Sequence, residues 1–436
     1  MRFLIGFLLL LCTSGFSDPP SHFAETPVLY QGRVVPIEAY AQRAQNCCSE
    51  LLWKEMLKDK TQLTQLFLLP IKNKSDWAPL ILLELNENFT PFSSQQFNSL
   101  RCYFNQALDD PEHHFNQLFS LLYDSYTSLD NPSFPSLLQL KVEKFYVQLP
   151  FKGALLSLYI FSLILLIAAR LLKKPILRAP ALGIAALGFS LHCLLLLMRI
   201  YILQRPPVTS MYETLLFVSW VMMLGGLLLT LFYKISAPLL VGLSSASVIF
   251  ACSLFMQDNL GVLPPVLNSH TWLMVHVLTV TSSYGCFLIS SALSHWFLLR
   301  KNSEGILPRW IMHMNFSGLF FLVTGTILGA IWADMSWGRL WDWDPKETWA
   351  FIAICAYLIL IHAYHAKKLS SWGIAFGSCL ASLFITFNWY GVNYILGKGL
   401  HSYGFGQGSP LFYYIYLFTE MAFLSGVLFM RLRKAA

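Results

Sequence analysis

The chain is poor in charge. Of its 436 residues only 12% are Asp, Glu, Lys or Arg, while 56% are hydrophobic and 15% aromatic; soluble proteins carry about 25% charged residues. That scarcity excludes a chain that is soluble along its whole length and places most of it in a membrane. No alternating barrel pattern is present, so helices are the spanning form. None of the nine cysteines is spaced Cys-x-x-Cys or Cys-x-x-Cys-His, which excludes a thiolate metal framework. Cys193, Cys252, Cys286, Cys355 and Cys379 fall in apolar runs and read as inert core thiols. The first apolar run, Phe3 to Leu11 after Met1-Arg2, is too short to cross a bilayer. It reads as a signal peptide over residues 1–17, with Gly15 and Ser17 as the small residues before cleavage, the alternative being an uncleaved N-terminal anchor. Cys12 follows Leu11, so the small residue that a lipoprotein signal needs is lacking.

The net charge of +7 conceals an asymmetry. Residues 18–150 carry 10 basic and 15 acidic side chains, residues 152–436 carry 19 and 8. The excess base sits mostly in short loops, so it reports topology and not nucleic-acid binding. Residues 18–150 read as a soluble external domain, mainly helical, with apolar periods at Leu51–Leu57 and Phe115–Leu122. If exported, Cys47 or Cys48 could bridge to Cys102. Residues 151–436 hold nine candidate spans, at about 153–172, 180–203, 213–233, 237–256, 271–299, 315–333, 348–366, 373–395 and 411–430. The fold class is therefore an all-α polytopic membrane protein. One set of loops holds twelve Lys/Arg, the opposite set only Arg205, Arg339, Lys346 and Lys398. The basic set belongs in the cytoplasm with the C-terminus, and the N-terminal domain outside.

The outer loops carry the chemistry. Residues 332–349 hold five of the thirteen tryptophans, and long apolar runs flank them. A tryptophan-dense loop between spans suits a large, flat, mostly apolar ligand with polar edges, and haem fits that description. Asp344-Pro345-Lys346-Glu347 reads as a helix start, with Asp344 as cap, Pro345 in the first turn and Glu347 reaching back. His276 lies four residues after Trp272, on the same helix face. His401 lies in the Gly-rich loop Gly397 to Gly404. Each histidine is either a haem-iron ligand or a hydrogen-bonded structural residue; their shared side with the tryptophan loop favours ligation. Histidines inside spans need a reason: His192 lies mid-span, His295 one turn from Arg300, and His362 toward the inner end of the span that the tryptophan loop begins. His362 is either a second haem position or a packed core residue. Arg205, Arg339, Lys346 and Lys398 are either partners for haem propionates or ordinary surface charges.

Trp337-Gly338-Arg339-Leu340-Trp341-Asp342-Trp343-Asp344-Pro345-Lys346-Glu347-Thr348-Trp349 resembles the WWD signature of haem-handling proteins, in the form of the CcsA (ResC) branch of the System II cytochrome c synthases. Three further stretches resemble the same branch: Arg199 to Trp220, Leu263 to Val277, and Asn393 to Tyr403. The chain departs from the pattern at Ser210 and Thr214, where Asn and Ser are usual, and by one extra residue between Ser269 and Trp272. The resemblance implies that His276 and His401 ligate an external haem b flanked by Trp337, Gly338, Trp341, Trp343, Asp344, Pro345, Glu347 and Trp349. It implies that His362 ligates a transmembrane haem. It further implies a CcsB-type membrane partner, apocytochrome c with a Cys-x-x-Cys-His motif as acceptor, and thiol-reducing proteins that keep the acceptor cysteines reduced. The implied activity, as part of a holocytochrome c synthase (a lyase) in the bacterial inner membrane, is haem delivery and thioether attachment. No catalytic residue is implied beyond the haem ligands. The rival readings are a haem exporter or chaperone without synthase activity, a histidine-dependent transporter, and a transmembrane electron carrier with haem b.

Overall fold

The structure is a computed structural model that describes residues 26–30, 33–44, 67–70, 77–79, 93–109, 111–127, 135–148, 150–256, 258, 270–300, 305–397, 401 and 409–435. The expected signal peptide, the Leu51–Leu57 helix, Cys47, Cys48 and Lys398 lie outside these residues. Cys102 is a free, exposed thiol. The chain divides into two compact units, Met1–Pro150 and Phe151–Ala436.

The first unit combines two small hairpins with helices. Strand β1 (Pro27–Tyr30) pairs antiparallel with β2 (Arg33–Pro36), Val28 opposite Val35; β3 (Phe67–Pro70) pairs with β4 (Trp77–Pro79). Helix α1 (Ile37–Ala44) follows directly on β2. Helices α2 (Ser94–Asp109) and α3 (Pro111–Thr127) pack on each other, and α4 (Leu137–Gln148) closes the unit. Phe97, Leu100 and Phe104 on α2, and Leu118, Phe119 and Leu122 on α3, form buried faces at helical spacing. The Phe115–Leu122 period thus lies on α3. The hairpins had no sequence signal, since strands of three or four residues are too short for alternation to show.

The second unit is a helical bundle: α5 (Phe151–Leu171), α6 (Arg178–Leu203), α7 (Met211–Tyr233), α8 (Ala237–Ser253), α9 (His270–Leu299), α10 (Leu307–Trp337), α11 (Pro345–His365), α12 (Ser371–Thr386) and α13 (Pro410–Ala435). A short 3-10 turn, Pro175–Leu177, precedes α6, and a π-helix, Phe387–Leu396, continues α12. Among the described residues eight helical segments are long and apolar enough to cross a membrane. The ninth expected span, α8, has only 17 residues. It still runs between the same two levels. It starts just after Lys234, and beyond its end Asp258 bonds both Lys152 near the start of α5 (2.7 Å) and Arg199 near the end of α6 (2.5 Å).

Glycines set how closely the helices approach. At Gly226 of α7 an added Cβ would lie 2.8 Å from the Cα of Gly242 on α8, so the two backbones touch as in small-residue membrane packing. Buried polar side chains bond across the bundle. Asn315 of α10 accepts from Ser290 of α9 (2.6 Å) and donates to Ser378 of α12 (2.8 Å), and Ser291 meets Ser382 at 3.2 Å. His192 belongs to this structural class. Its Nδ1 meets the Tyr159 hydroxyl and its Nε2 the Leu216 carbonyl, both at 3.1 Å. Both ring nitrogens are committed to protein partners, which makes it a core histidine.

Candidate functional site

The site assembles where α9 begins, α10 ends, α11 begins and the π-helix ends. The tryptophan segment itself explains the local fold. Helix α10 stops at Gly338, which takes φ +71 and donates its N–H to the Asp334 carbonyl. A short connection follows, in which Trp343 takes the left-handed conformation (φ +58). Asp344 then caps α11 in a full capping box: its carboxylate accepts from the Lys346 N–H at 2.8 Å, and Glu347 Oε2 accepts from the N–H groups of Asp344 (3.2 Å) and Asp342 (2.9 Å).

The cap reaches further than the helix. Asp344 Oδ1, the atom that accepts from Lys346, also accepts from His401 Nδ1 at 3.0 Å. A neutral imidazole that donates through Nδ1 carries its lone pair on Nε2, and a carboxylate in this position fixes ring orientation and raises basicity. His276 is held in the same sense, its Nδ1 donating to the Gly325 carbonyl at 2.7 Å. The ring fits because Gly329 has no side chain: an added Cβ would lie 2.4 Å from the imidazole. Trp332 stands between the two histidines, nearly parallel to His276 (6.5 Å between centroids, 11°) and tilted against His401 (6.3 Å). Trp337 meets His401 edge-on at 5.5 Å.

Both histidines line one cleft of about 1030 Å³, counting its open mouth. Its wall is apolar over Val277, Val280, Ala330 and Ala350, with Thr214, Tyr284, Trp341, Lys346 and Glu347 at its polar points. Two buried polar atoms of the lining, Trp341 Nε1 and Asn388 Oδ1, have no hydrogen-bond partner among the described residues. Lys346 runs back to the π-helix and donates to the carbonyls of Asn388 (2.5 Å) and Trp389 (3.2 Å). Trp389 in turn donates to Thr214 at 3.1 Å, which ties α7 to the cleft.

The structure thus gathers His276, His401, Trp337, Trp341, Asp344 and Glu347. The indole stacked on His276 is that of Trp332 and not of Trp272. The tryptophans are not one exposed platform: Trp332 is buried, Trp349 packs on Phe387 (4.3 Å), and Trp343 is 68% exposed with Trp341 edge-on to it at 5.9 Å. His362 lies apart, 15 residues beyond Glu347 and so about 22 Å along α11. It is exposed on the bundle surface, with Nδ1 bonded to the Leu358 carbonyl at 2.9 Å. Of the cations weighed for ligand contact, Arg205 bonds Thr209 and Glu213, and Arg339 pairs with Asp342 at 2.8 Å; Lys346 alone of these three lines the cleft.

The sequence reading missed Gly325, Gly329, Trp332 as the stacking partner, and the π-helix. A signal for the first two was there. Gly325-Thr326-Ile327-Leu328-Gly329 is a small-xxx-small spacing, which lets helices approach closely. It faces His276 and Val280, four residues apart on α9; an added Cβ on Gly325 would lie 2.6 Å from Val280.

Fold and site define a class: a polytopic helical membrane protein with two tethered histidines and a tryptophan cluster around a cleft at one end of the bundle. Residues 208–401 match the family described as cytochrome c assembly protein. Protein NrfI of Wolinella succinogenes is 38% identical over 249 residues, 51% of this chain and 26% of that protein. The cytochrome c biogenesis protein CcsA of Chlamydomonas reinhardtii is 35% identical over 234 residues, 49% of this chain and 65% of its own length. CcsA of Prochlorococcus marinus strain MIT 9215 is 33% identical over 248 residues, 48% of this chain and 79% of its own length. The chain therefore belongs to the cytochrome c assembly family, in its CcsA-type branch. It spans about a quarter of NrfI and just under two thirds of the algal CcsA.

Proposed function

We propose that this chain binds haem and presents it for attachment to an exported apocytochrome c, as the CcsA-type subunit of a cytochrome c synthase. The observation that carries the reading is the pair His276 and His401, which line one cleft with Nδ1 of each ring held by a protein oxygen. In a neutral imidazole that donates through Nδ1, Nε2 carries the lone pair and is the nitrogen suited to iron. The rest of the cleft fits haem as substrate. Its walls are apolar, Trp341 and Trp389 line it, Trp332 and Trp337 back the two histidine rings, and the Trp341 N–H and the Lys346 amine suit the carboxylates at the ring edge. Haem supplies the vinyl carbons to which the acceptor thiols add. The protein's own residues hold the iron, orient the ring and keep apolar surface from water.

From the loop charges we infer that this cleft faces outward from the bacterial inner membrane, with residues 18–150 proposed as an external domain after a signal peptide. A CcsB-type membrane protein is the proposed partner and a thiol reductant the proposed supplier of reduced Cys-x-x-Cys-His acceptors. His362, exposed on the flank of α11, is proposed as a transmembrane haem ligand completed by that partner. His362→Ala is then expected to lower haem recovered with the complex, measured by pyridine haemochrome per mole of protein; unchanged content would make His362 a plain surface residue.

Gly329→Val is a sharper test of the cleft, because it leaves both proposed ligand residues in the chain. Its Cβ would fall on the His276 ring, so haem content is expected to fall several-fold while α10 stays intact by circular dichroism. Haem retained at the wild-type level would place the iron elsewhere. To separate synthase from exporter, the chain and its partner would be co-expressed with an apocytochrome c in a host lacking other maturation proteins. Covalent haem on the acceptor supports the synthase reading, and haem exported without attachment supports the rival.

A further inference from the structure

A second cluster of ligating side chains lies far from the cleft. His295 of α9, Cys379 of α12 and Glu420 of α13 converge, each offering one ligand atom within 4.8 Å of the others. His295 is 19 residues beyond His276 on the same helix, about 28 Å along its axis, so the two sites are separate. His295 Nε2 meets Glu420 Oε2 at 2.9 Å, and Nδ1 meets the Ser291 carbonyl at 2.8 Å and Cys379 Sγ at 3.4 Å. Phe423 stacks on the ring at 4.6 Å and holds its plane. Cys379 is fully buried, and Glu420 is 7% exposed.

Two features point beyond an ion pair. The second oxygen of the buried carboxylate, Glu420 Oε1, has no hydrogen-bond partner among the described residues, a costly condition unless a ligand completes it. A thiol also adds little to a His–carboxylate pair, whereas it adds a strong donor to a metal. We propose that His295, Cys379 and Glu420 form a site for a divalent transition metal, zinc or ferrous iron. Thiolate with imidazole selects such ions over magnesium or calcium. Thiolate and carboxylate balance a 2+ ion around a neutral imidazole, so binding removes the burial cost of unpaired charge. Cys379 lies beside Nδ1 and Glu420 beside Nε2, so to reach metal–sulfur bonds of about 2.3 Å and metal–nitrogen bonds of about 2.0 Å the His295 ring must turn to bring one nitrogen to both partners. Binding releases two protons to solvent, one from the thiol and one shared by His295 and Glu420. Three protein ligands leave a fourth position for water or Glu420 Oε1. The site would pin α9, α12 and α13 together at the end of the bundle opposite the cleft.

The test is titration of the chelator-treated, detergent-purified full chain with Co2+. The expected result is one equivalent bound with a thiolate-to-cobalt charge-transfer band. The band should vanish in Cys379→Ser, persist in Cys286→Ser and in the His276→Ala/His401→Ala double variant, and need at least tenfold more cobalt in Glu420→Gln. A wild-type protein that binds cobalt without a thiolate band, or binds none, overturns the proposal even if Cys379→Ser fails to fold, and leaves an ion pair beside a thiol. A band unchanged in a folded Cys379→Ser overturns it as well.

Discussion

Alanine at His276 or at His401 is expected to reduce holocytochrome formation to background, with the protein still present in the membrane. Even loss of a group that only orients a metal ligand costs about 10–100-fold in affinity, and these substitutions would remove the ligand itself. The two variants need not fail alike. His276 is tethered to a backbone carbonyl of α10 inside the bundle, so its loss leaves an apolar void under Trp332. His401 hangs from the Asp344 cap, so its loss leaves a carboxylate still occupied by the Lys346 N–H. Both openings give onto the cleft, but the His276 ring is seated against Gly325 and Gly329 of α10, so exogenous imidazole should rescue His401→Ala better than His276→Ala. Haem-stained gels of a co-expressed cytochrome c measure both effects. Normal cytochrome in both variants would remove the histidines from the mechanism.

The largest loss of stability is expected at Glu213. This carboxylate is fully buried at the start of α7 and accepts from Arg199 (2.8 Å), Arg205 (2.9 Å) and the Thr209 N–H (2.9 Å). Arg199 is itself buried, bonds Asp258 and lies over the Tyr212 ring at 4.9 Å. Removing one member of such a network leaves uncompensated buried charge, at about 3–5 kcal/mol. Glu213→Ala should therefore lose monodispersity in detergent at a clearly lower temperature than the wild type. The cleft should loosen with it, because Val208 and Thr209 line the cleft and Thr209 is anchored by Glu213. An unchanged thermal midpoint would mean that Asp258 alone satisfies Arg199.

Much of this architecture can be read from the chain because membrane spans obey one blunt rule, about twenty apolar residues in a row. All nine apolar runs became helices. The capping box was legible as well, since Asp344, Pro345 and Glu347 are each the residue type that their helix position needs. What stayed hidden is what depends on the space between helices. Nothing in a linear pattern says that Gly329 is empty for the sake of His276, or that a tryptophan 56 residues away would stack on that ring. The π-helix was hidden because its residues, Phe387 to Leu396, keep the apolar composition of the span they continue. Cys379 read as an inert thiol, and His295 only as a histidine one turn from Arg300, for a related reason: Glu420 completes their cluster from the last helix, more than 40 residues after Cys379. The hairpins of the first unit were too short to announce themselves.

The central claim, that His276 and His401 form one haem-binding cleft, is tested most directly by an absorption spectrum of the detergent-purified protein, alone and with its proposed partner. The expected result is a reduced spectrum of bis-imidazole haem that disappears in the His276→Ala/His401→Ala double variant. A protein that is colourless under both conditions, or a spectrum that survives the double variant unchanged, would contradict it.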